Sequence, residues 1–448
     1  MARYDRRNAL ILGAGRSGRA AGRLILELQG RVTVADEAWT SEALASFGSE
    51  GMSCVRATRE HLPDGNYDLV VVSPSIPLTH PWITKARARG LAIISELELG
   101  SVYWRGEIIA VTGSKGKSSV IKCLTDTLTL AGRRAVTAGN FGIPLCERLL
   151  ECPDFGAGTI AVTEVSSFQL EHTRTFSPRL AAILNIQPDH LDRHGTMEAY
   201  LAAKRRIFQA VKPQVGRVFL PWGISPLGIP QGVPLLRFGP QPWVDWRFHK
   251  GVVTHGSLSI PVEGVFNNPI LGDAASLIAG MLTELGLTPE QIAQGFATYQ
   301  PLPHRFQCLG KLNGVSFIDD SKATSLTATQ AALKMVGHDA RLIAGGLLKE
   351  EDLDFLEEEL AIHAVKAYLI GAAQESLEAA WRDILPCEKC GTLETAVRKA
   401  FAESLPGDTI LLSPGAASFD QYAGMSARGE DFARCFRALA EATPAPQP

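Results

Sequence analysis

The chain lacks any apolar run approaching the ~20 residues of a membrane-crossing helix. No secretory leader is expected either. Arg6 and Arg7 precede an apolar run of only four residues, Ala9-Leu10-Ile11-Leu12, which leads straight into glycines. No charge of one sign dominates: 44 Lys and Arg against 47 Asp and Glu leave a net charge of −3, so there is no broad basic field for a nucleic acid. Cysteines are few and scattered, eight in 448 residues. Only Cys387 and Cys390 stand as a CxxC, without the second pair that would complete a zinc site, and ordinary thiols are expected. Internal repeats and low-complexity tracts are absent as well. These absences point to a cytoplasmic chain that binds neither nucleic acid nor membrane, and a monomer is expected.

What is present is an ordinary globular composition, 46% hydrophobic and 20% charged. The length exceeds what one hydrophobic core supports, so several domains are expected. Short β-branched runs alternate with helical stretches throughout, the rhythm of parallel sheets with crossover helices. The expected class is α/β in three domains. Residues 1–104 form a Rossmann-like domain, residues 105–300 a central P-loop ATPase-like domain with a mostly parallel sheet, and residues 301–448 a second Rossmann-like domain. Pro221 to Pro261 reads as irregular loops and short strands, and Pro301-Leu302-Pro303 as a linker.

Gly13-Ala14-Gly15-Arg16-Ser17-Gly18 follows a strand and opens a helix, and Asp36 ends the next strand. Alone this is a dinucleotide fingerprint. Glycines at a helix N-terminus accept any phosphate, however, so NAD, another diphosphate and a purely structural turn all remain open. The second α/β unit opens with Gly113-Ser114-Lys115-Gly116-Lys117-Ser118-Ser119 between a strand and a helix. Backbone N–H groups there can surround phosphate oxygens; Lys117 would then reach the terminal phosphates, and Ser118 or Ser119 a magnesium ion. The strict P-loop pattern needs a glycine where Val111 stands, so this is a shortened variant, against the alternative of a solvated turn. Strand 159–163 delivers Glu164 to a metal-binding position.

Asp189-His190-Leu191-Asp192-Arg193-His194 is dense in ligand types; magnesium suits it better than zinc, and a surface charge cluster is the bland alternative. In the helix that follows, Tyr200, Ile207, Phe208 and Val211 form an apolar stripe with Lys204 inside it, while Arg205 and Arg206 point away. A buried lysine loses proton affinity. It can then add carbon dioxide and become an anionic carbamate ligand, unless it snorkels to solvent. Beyond the linker, His304-Arg305-Phe306, Asp319-Asp320-Ser321-Lys322-Ala323-Thr324, Lys349 and Ser413-Pro414-Gly415-Ala416-Ala417-Ser418 outline a polar pocket at strand ends.

Over nearly its whole length the chain resembles the Mur ligases of peptidoglycan synthesis. The resemblance is carried by the GSKGKSS loop, Glu164-Val165-Ser166-Ser167-Phe168-Gln169-Leu170, Asp189 to Arg193, Ala202-Ala203-Lys204, Leu302 to Phe306, Asp320 to Thr324 and Leu412-Ser413-Pro414. The SSFQL and DSKAT segments are those of the members that add D-glutamate. The resemblance implies ATP-driven amide formation between UDP-N-acetylmuramoyl-L-alanine and D-glutamate through an acyl phosphate, with two Mg2+ ions. It implies that Gly113 to Ser119, Asn268, Arg305 and Asp320 hold ATP, with Lys117 and Ser118 on the β- and γ-phosphates. Ser119, Glu164, His190 and carbamylated Lys204 would hold the metal ions. Arg16, Ser17, Asp36, Ser73, Asn140 and Gln169 would bind the UDP-sugar, which reassigns the first glycine turn to a UDP pyrophosphate. Thr324, Lys349 and Ser418 would bind D-glutamate. The chain departs from the family pattern at Lys115, Ser119, Ser325 and Met425, and at Leu271, which replaces a second adenine-side asparagine.

Overall fold

The computed structural model describes residues 4–442. The chain forms two compact units, one ending at Tyr299 and the other beginning at Gln300.

The first unit contains two sheets. The N-terminal sheet comprises β1 (Asn8–Leu12), β2 (Arg31–Asp36), β3 (Ser53–Arg56), β4 (Leu69–Val72) and β5 (Ala92–Ser95) in the order β3-β2-β1-β4-β5. All its pairings are parallel. Ala9 to Leu12 and Leu69 to Val72 are almost fully buried, as expected for parallel strands covered on both faces. The order reverses between β1 and β4, the place where such a sheet offers a crevice beyond its carboxyl ends, and the Gly13 turn and Ser73 lie there side by side.

The second sheet comprises β6 (Glu107–Thr112), β7 (Ala135–Gly139), β8 (Ile160–Glu164), β9 (Leu180–Ile183), β10 (Arg217–Pro221), β11 (Leu235–Gly239), β12 (Trp246–His249), β13 (Val252–His255) and β14 (Leu258–Pro261). Their order is β14-β13-β12-β11-β10-β9-β6-β8-β7. Pairing is parallel from β7 to β12, and only β13 and β14 are antiparallel additions. The Pro221–Pro261 stretch thus extends this sheet. One continuous core joins the two sheets, with Leu97, Leu99 and Trp104 packing together with Leu145, Leu149 and Phe176. Two buried carboxylates cross that seam. Glu98 accepts the N–H groups of Arg174, Thr175 and Phe176 at 2.9–3.1 Å. Glu96 accepts Cys146 N–H at 2.6 Å, and burial pushes its carboxyl up to about 7.

The second unit holds β15 (Gln307–Leu312), β16 (Val315–Asp319), β17 (Ala340–Gly345), β18 (Ala364–Ile370), β19 (Cys387–Gly391) and β20 (Thr409–Leu412), in the order β15-β16-β20-β17-β18-β19. All pairs are parallel except the β15–β16 hairpin. Its two-residue turn, Asn313-Gly314, has positive φ at both positions (51° and 80°), the conformation an Asn-Gly hairpin favours. Cys387 and Cys390 lie three apart on β19, so their side chains leave opposite faces; both are free thiols.

Candidate active site

At the carboxyl end of β1 the glycines divide their work. Gly13 turns the chain at φ 96°, and a Cβ there would lie 2.7 Å from Ser73 Cβ. A Cβ on Gly18 would lie 2.0 Å from Gly13 O, so this glycine allows the helix to pack on the turn. A Cβ on Gly15 would meet nothing within 4 Å. Open space therefore faces the uncapped start of helix Arg16–Glu27, where free N–H groups and the helix dipole favour an anion. Asp36 fixes the turn, accepting Ala14 N–H at 2.7 Å and Ala38 N–H at 2.9 Å. Ser17 is half-buried in the first helical turn, and Ser73 is buried at the end of β4. Arg16 reaches across to Gly142 O (2.7 Å) and Glu147 (3.2 Å), beside the loop that carries Asn140.

The phosphate-type loop follows β6, flanked in the sheet by β9 and β8. Gly116 caps helix Lys117–Leu130 in the left-handed region at φ 79° without any side-chain cap, leaving the N-terminal N–H groups open. Glu164, buried at the end of β8, accepts Ser118 Oγ–H at 2.7 Å on one oxygen and Asn140 Nδ2–H at 2.8 Å on the other. The hydroxyl beside the carboxylate is thus that of Ser118, and Ser119 occupies the next, half-buried position. Lys117 Nζ donates to Gly113 O at 2.8 Å and Ser114 O at 3.0 Å. Lys204 Nζ donates to the same Gly113 O at 2.9 Å.

Lys204 is only 2% exposed, and Tyr200, Ile207, Phe208 and Val211 are buried around it. Burial, aided by the charge of Lys117 and opposed by Asp189 and Glu164, brings its ammonium down to about 7. A substantial neutral fraction therefore exists near neutral pH. The helix itself ends at Arg205. Arg206 does not point away as expected: it is half-buried and donates inward to Leu170 O at 2.7 Å and to Thr173 O. The helical stripe continues into a tighter turn there, which swings Arg206 over the end of the preceding short helix.

His190 adopts φ 54° before the short helix Leu191–His194, half-exposed, with Phe168 at 4.8 Å between ring centroids and Asp189 at 3.7 Å. Gln169 closes a capping box with Ser166, its amide oxygen accepting Ser166 N–H at 3.0 Å, which leaves its NH2 for a ligand. Asn268 accepts Ile270 N–H at 2.9 Å and so caps a short turn, and Leu271 packs against the core. Among the described residues, no three His, Cys, Asp or Glu side chains converge on one point. The expected metal set contains only Glu164 and His190 of those types and leans on a hydroxyl and a modified lysine. A buried carboxylate sharing a hydrogen bond with a hydroxyl at an open helix start, beside a lysine able to become an anion, fits a hard divalent cation.

In the second unit, β16, β20 and β17 lie side by side, and the loops at their carboxyl ends carry the remaining candidates. Asp320 accepts Ser413 Oγ–H at 3.0 Å and Phe306 N–H at 3.1 Å, and burial still raises its carboxyl to about 7. Burial lowers the Lys322 ammonium, and the charges of Arg305 and Lys349 lower it further, which marks these three cations as electrostatic neighbours. Lys349 is exposed, Thr324 half-buried and Ser418 buried.

Two contributors escaped the sequence reading. Asn185, after β9, accepts Ser114 N–H (3.0 Å) and Lys115 N–H (2.9 Å) and donates to Lys115 O, clamping the first half of the loop. Arg428, on helix Met425–Ala442, is 1% exposed and donates to Ser321 Oγ, Ser321 O and Ala416 O at 3.0 Å and to Gly345 O at 3.3 Å. It ties together the three loops that bear Thr324, Lys349 and Ser418. A lone arginine in an amphipathic helix gives no signal of this in sequence.

Comparison with known proteins agrees with this arrangement. Residues 111–220 match the Mur ligase middle domain and residues 304–415 the Mur ligase, glutamate ligase domain. The UDP-N-acetylmuramoylalanine--D-glutamate ligase of Dinoroseobacter shibae is 37% identical over 94% of this chain and 96% of its own. That of Koribacter versatilis is 31% identical over 97% and 98%. Among solved structures, MurF ligase from Thermotoga maritima in complex with ADP shares the fold at TM-score 0.61 and 17% identity, covering 99% of this chain and 100% of that one.

Proposed function

The chain belongs to the Mur ligase family, and we propose from that premise that it joins UDP-N-acetylmuramoyl-L-alanine to D-glutamate at the expense of ATP. The observation carrying the chemistry is the buried group Ser118, Glu164 and Lys204 around the Gly113–Ser119 loop. The three substrates divide among the chain's segments: 1–104 for the UDP-sugar, 105–300 for ATP and 301–448 for the amino acid.

Amide formation from a carboxylate needs a leaving group. The substrate carboxylate attacks the γ-phosphorus, ADP departs, and the amine of D-glutamate adds to the acyl phosphate; the tetrahedral adduct then loses a proton and expels phosphate. Positioning and neutralisation of charge supply most of the acceleration. Within the Gly113–Ser119 loop the N–H groups at the open helix start, from Gly116 to Ser119, receive the phosphates, those of Ser114 and Lys115 being held by Asn185, and Lys117 exchanges its loop carbonyls for phosphate oxygens. Arg305, Asp320 and Asn268 are the further residues assigned to the nucleotide, Asn268 to its adenine side. Arg16, Ser17, Asp36, Ser73, Asn140 and Gln169 hold the UDP-sugar, its pyrophosphate lying over Gly15. Thr324, Lys349 and Ser418 hold D-glutamate, with the Lys349 ammonium facing its side-chain carboxylate.

Neutral Lys204 Nζ adds to the carbon of carbon dioxide and releases one proton, which gives a carbamate. With Glu164, His190 and the Ser118 or Ser119 hydroxyl, it would hold two Mg2+ ions. These ions neutralise phosphate charge when bound. Among the described residues, no helix is long and apolar enough to cross a membrane; we place the protein in the cytoplasm, as a monomer. The test is phosphate release from ATP, which should require both UDP-N-acetylmuramoyl-L-alanine and D-glutamate. Release that proceeds equally with another amino acid would overturn the assignment.

A further inference from the structure

Arg193 is placed to do more than decorate a charged turn. Its side chain is 12% exposed, and the guanidinium spans four partners from two segments. It pairs with buried Glu171 through both carboxylate oxygens (2.5 and 3.2 Å). It donates to Pro74 O at 2.6 Å and Ile76 O at 3.1 Å, in the loop directly after Ser73. Its carbon lies 4.0 Å above the Phe168 ring, the same ring that packs on His190. Within its own turn, the Arg193 N–H donates to His190 O at 3.2 Å.

We propose that Arg193 is a positioning residue that fixes the Ser73–Ile76 loop, and with it the UDP-sugar crevice, relative to the His190 turn. The planar five-donor fork suits this; a lysine has three donors on a single nitrogen for these four hydrogen bonds and cannot pair bidentately with the carboxylate as the fork does. Ser73 in turn packs directly on the Gly13 turn, so a displacement of the loop is felt where the diphosphate is proposed to lie. The inference rests on the UDP-sugar reading of that crevice.

The experiment compares wild type with Arg193→Lys, Arg193→Met and the double variant Arg193→Met/Glu171→Gln, which removes the carboxylate stranded by the loss of its partner. KM for each substrate, kcat, melting temperature and calorimetric binding of UDP alone are measured on the full chain. Arg193→Met should raise KM for UDP-N-acetylmuramoyl-L-alanine about tenfold or more while KM for ATP moves less than about threefold, the split expected of a lost placement effect. The lysine variant should fall between. The double variant should regain melting temperature without regaining KM or UDP affinity. Recovery of both together, unchanged KM, or equal rises for both substrates would each overturn the proposal. If wild type fails to turn over the substrate pair, the proposed function falls, yet the UDP-binding arm still decides the role of Arg193.

Discussion

Lys117 and Lys204 donate to one carbonyl oxygen, that of Gly113, at 2.8 and 2.9 Å. Two ammonium groups converging on one acceptor repel each other, and the buried one yields its proton more readily. The Gly113–Ser119 loop and the buried Lys204 are therefore electrostatically linked.

Lys204→Ala should lose activity, and bicarbonate or a short carboxylate should partly restore it by supplying the missing oxygens. Stability carries a second signature. The native ammonium titrates at about 7 against an ordinary value of 10.5, so the unfolded chain binds more protons between these values and native stability rises with pH there. The melting-temperature advantage of Lys204→Met over wild type should be largest below pH 7 and shrink toward pH 10; an advantage independent of pH would contradict a buried, depressed lysine.

Asp320 titrates in the opposite sense, from an ordinary 3.8 up to about 7. The native state holds the proton longer than the unfolded chain, so stability contributed by the protonated form fades as pH rises through 7. A nucleotide contact that needs the carboxylate strengthens over the same range. KM for ATP should fall between pH 6 and 8 in wild type and lose that trend in Asp320→Asn.

Ser118→Ala and Glu164→Gln remove the two ends of one hydrogen bond. Each should lower kcat by about a hundredfold or more, and the double variant should lose much less than the product, as expected of groups acting as a unit. Multiplicative losses would show that the pair does not work together.

Gly15 and Gly18 separate binding from folding. Gly18→Ala drives a methyl to 2.0 Å from Gly13 O and should destabilise by about 2 kcal/mol or more, as overpacking against backbone does. Gly15→Ala meets no protein atom within 4 Å; it should keep its melting temperature and raise KM for the UDP-sugar. Equal effects at both glycines would refute the division of roles.

Most of the parallel-strand framework was legible because strands buried on both faces read as unbroken apolar runs, as at Leu69 to Val72. Strands with mixed sequence did not declare themselves. Cys387 to Gly391 forms an edge strand, and Gln307 to Leu312 is paired through the Asn313-Gly314 turn. The burial of Lys204 followed from helical spacing, since its neighbours at three and four residues are apolar. The course of Arg206 did not, because it depends on where the helix tightens. Contacts made by Asn185, Arg193 and Arg428 join segments distant in sequence, and no local pattern encodes them.

The two carboxylates buried across the seam between the first two sheets have a consequence for selectivity. Glu98 grips three successive N–H groups and Glu96 a fourth, so the span from the Gly13 turn to the phosphate loop is set when the chain folds. With the UDP-sugar assigned to the first of these and ATP to the second, the acceptor would present its carboxylate across this fixed span. On that assignment the seam would act as a ruler, and acceptors one residue shorter or longer should be turned over more slowly than the proposed one.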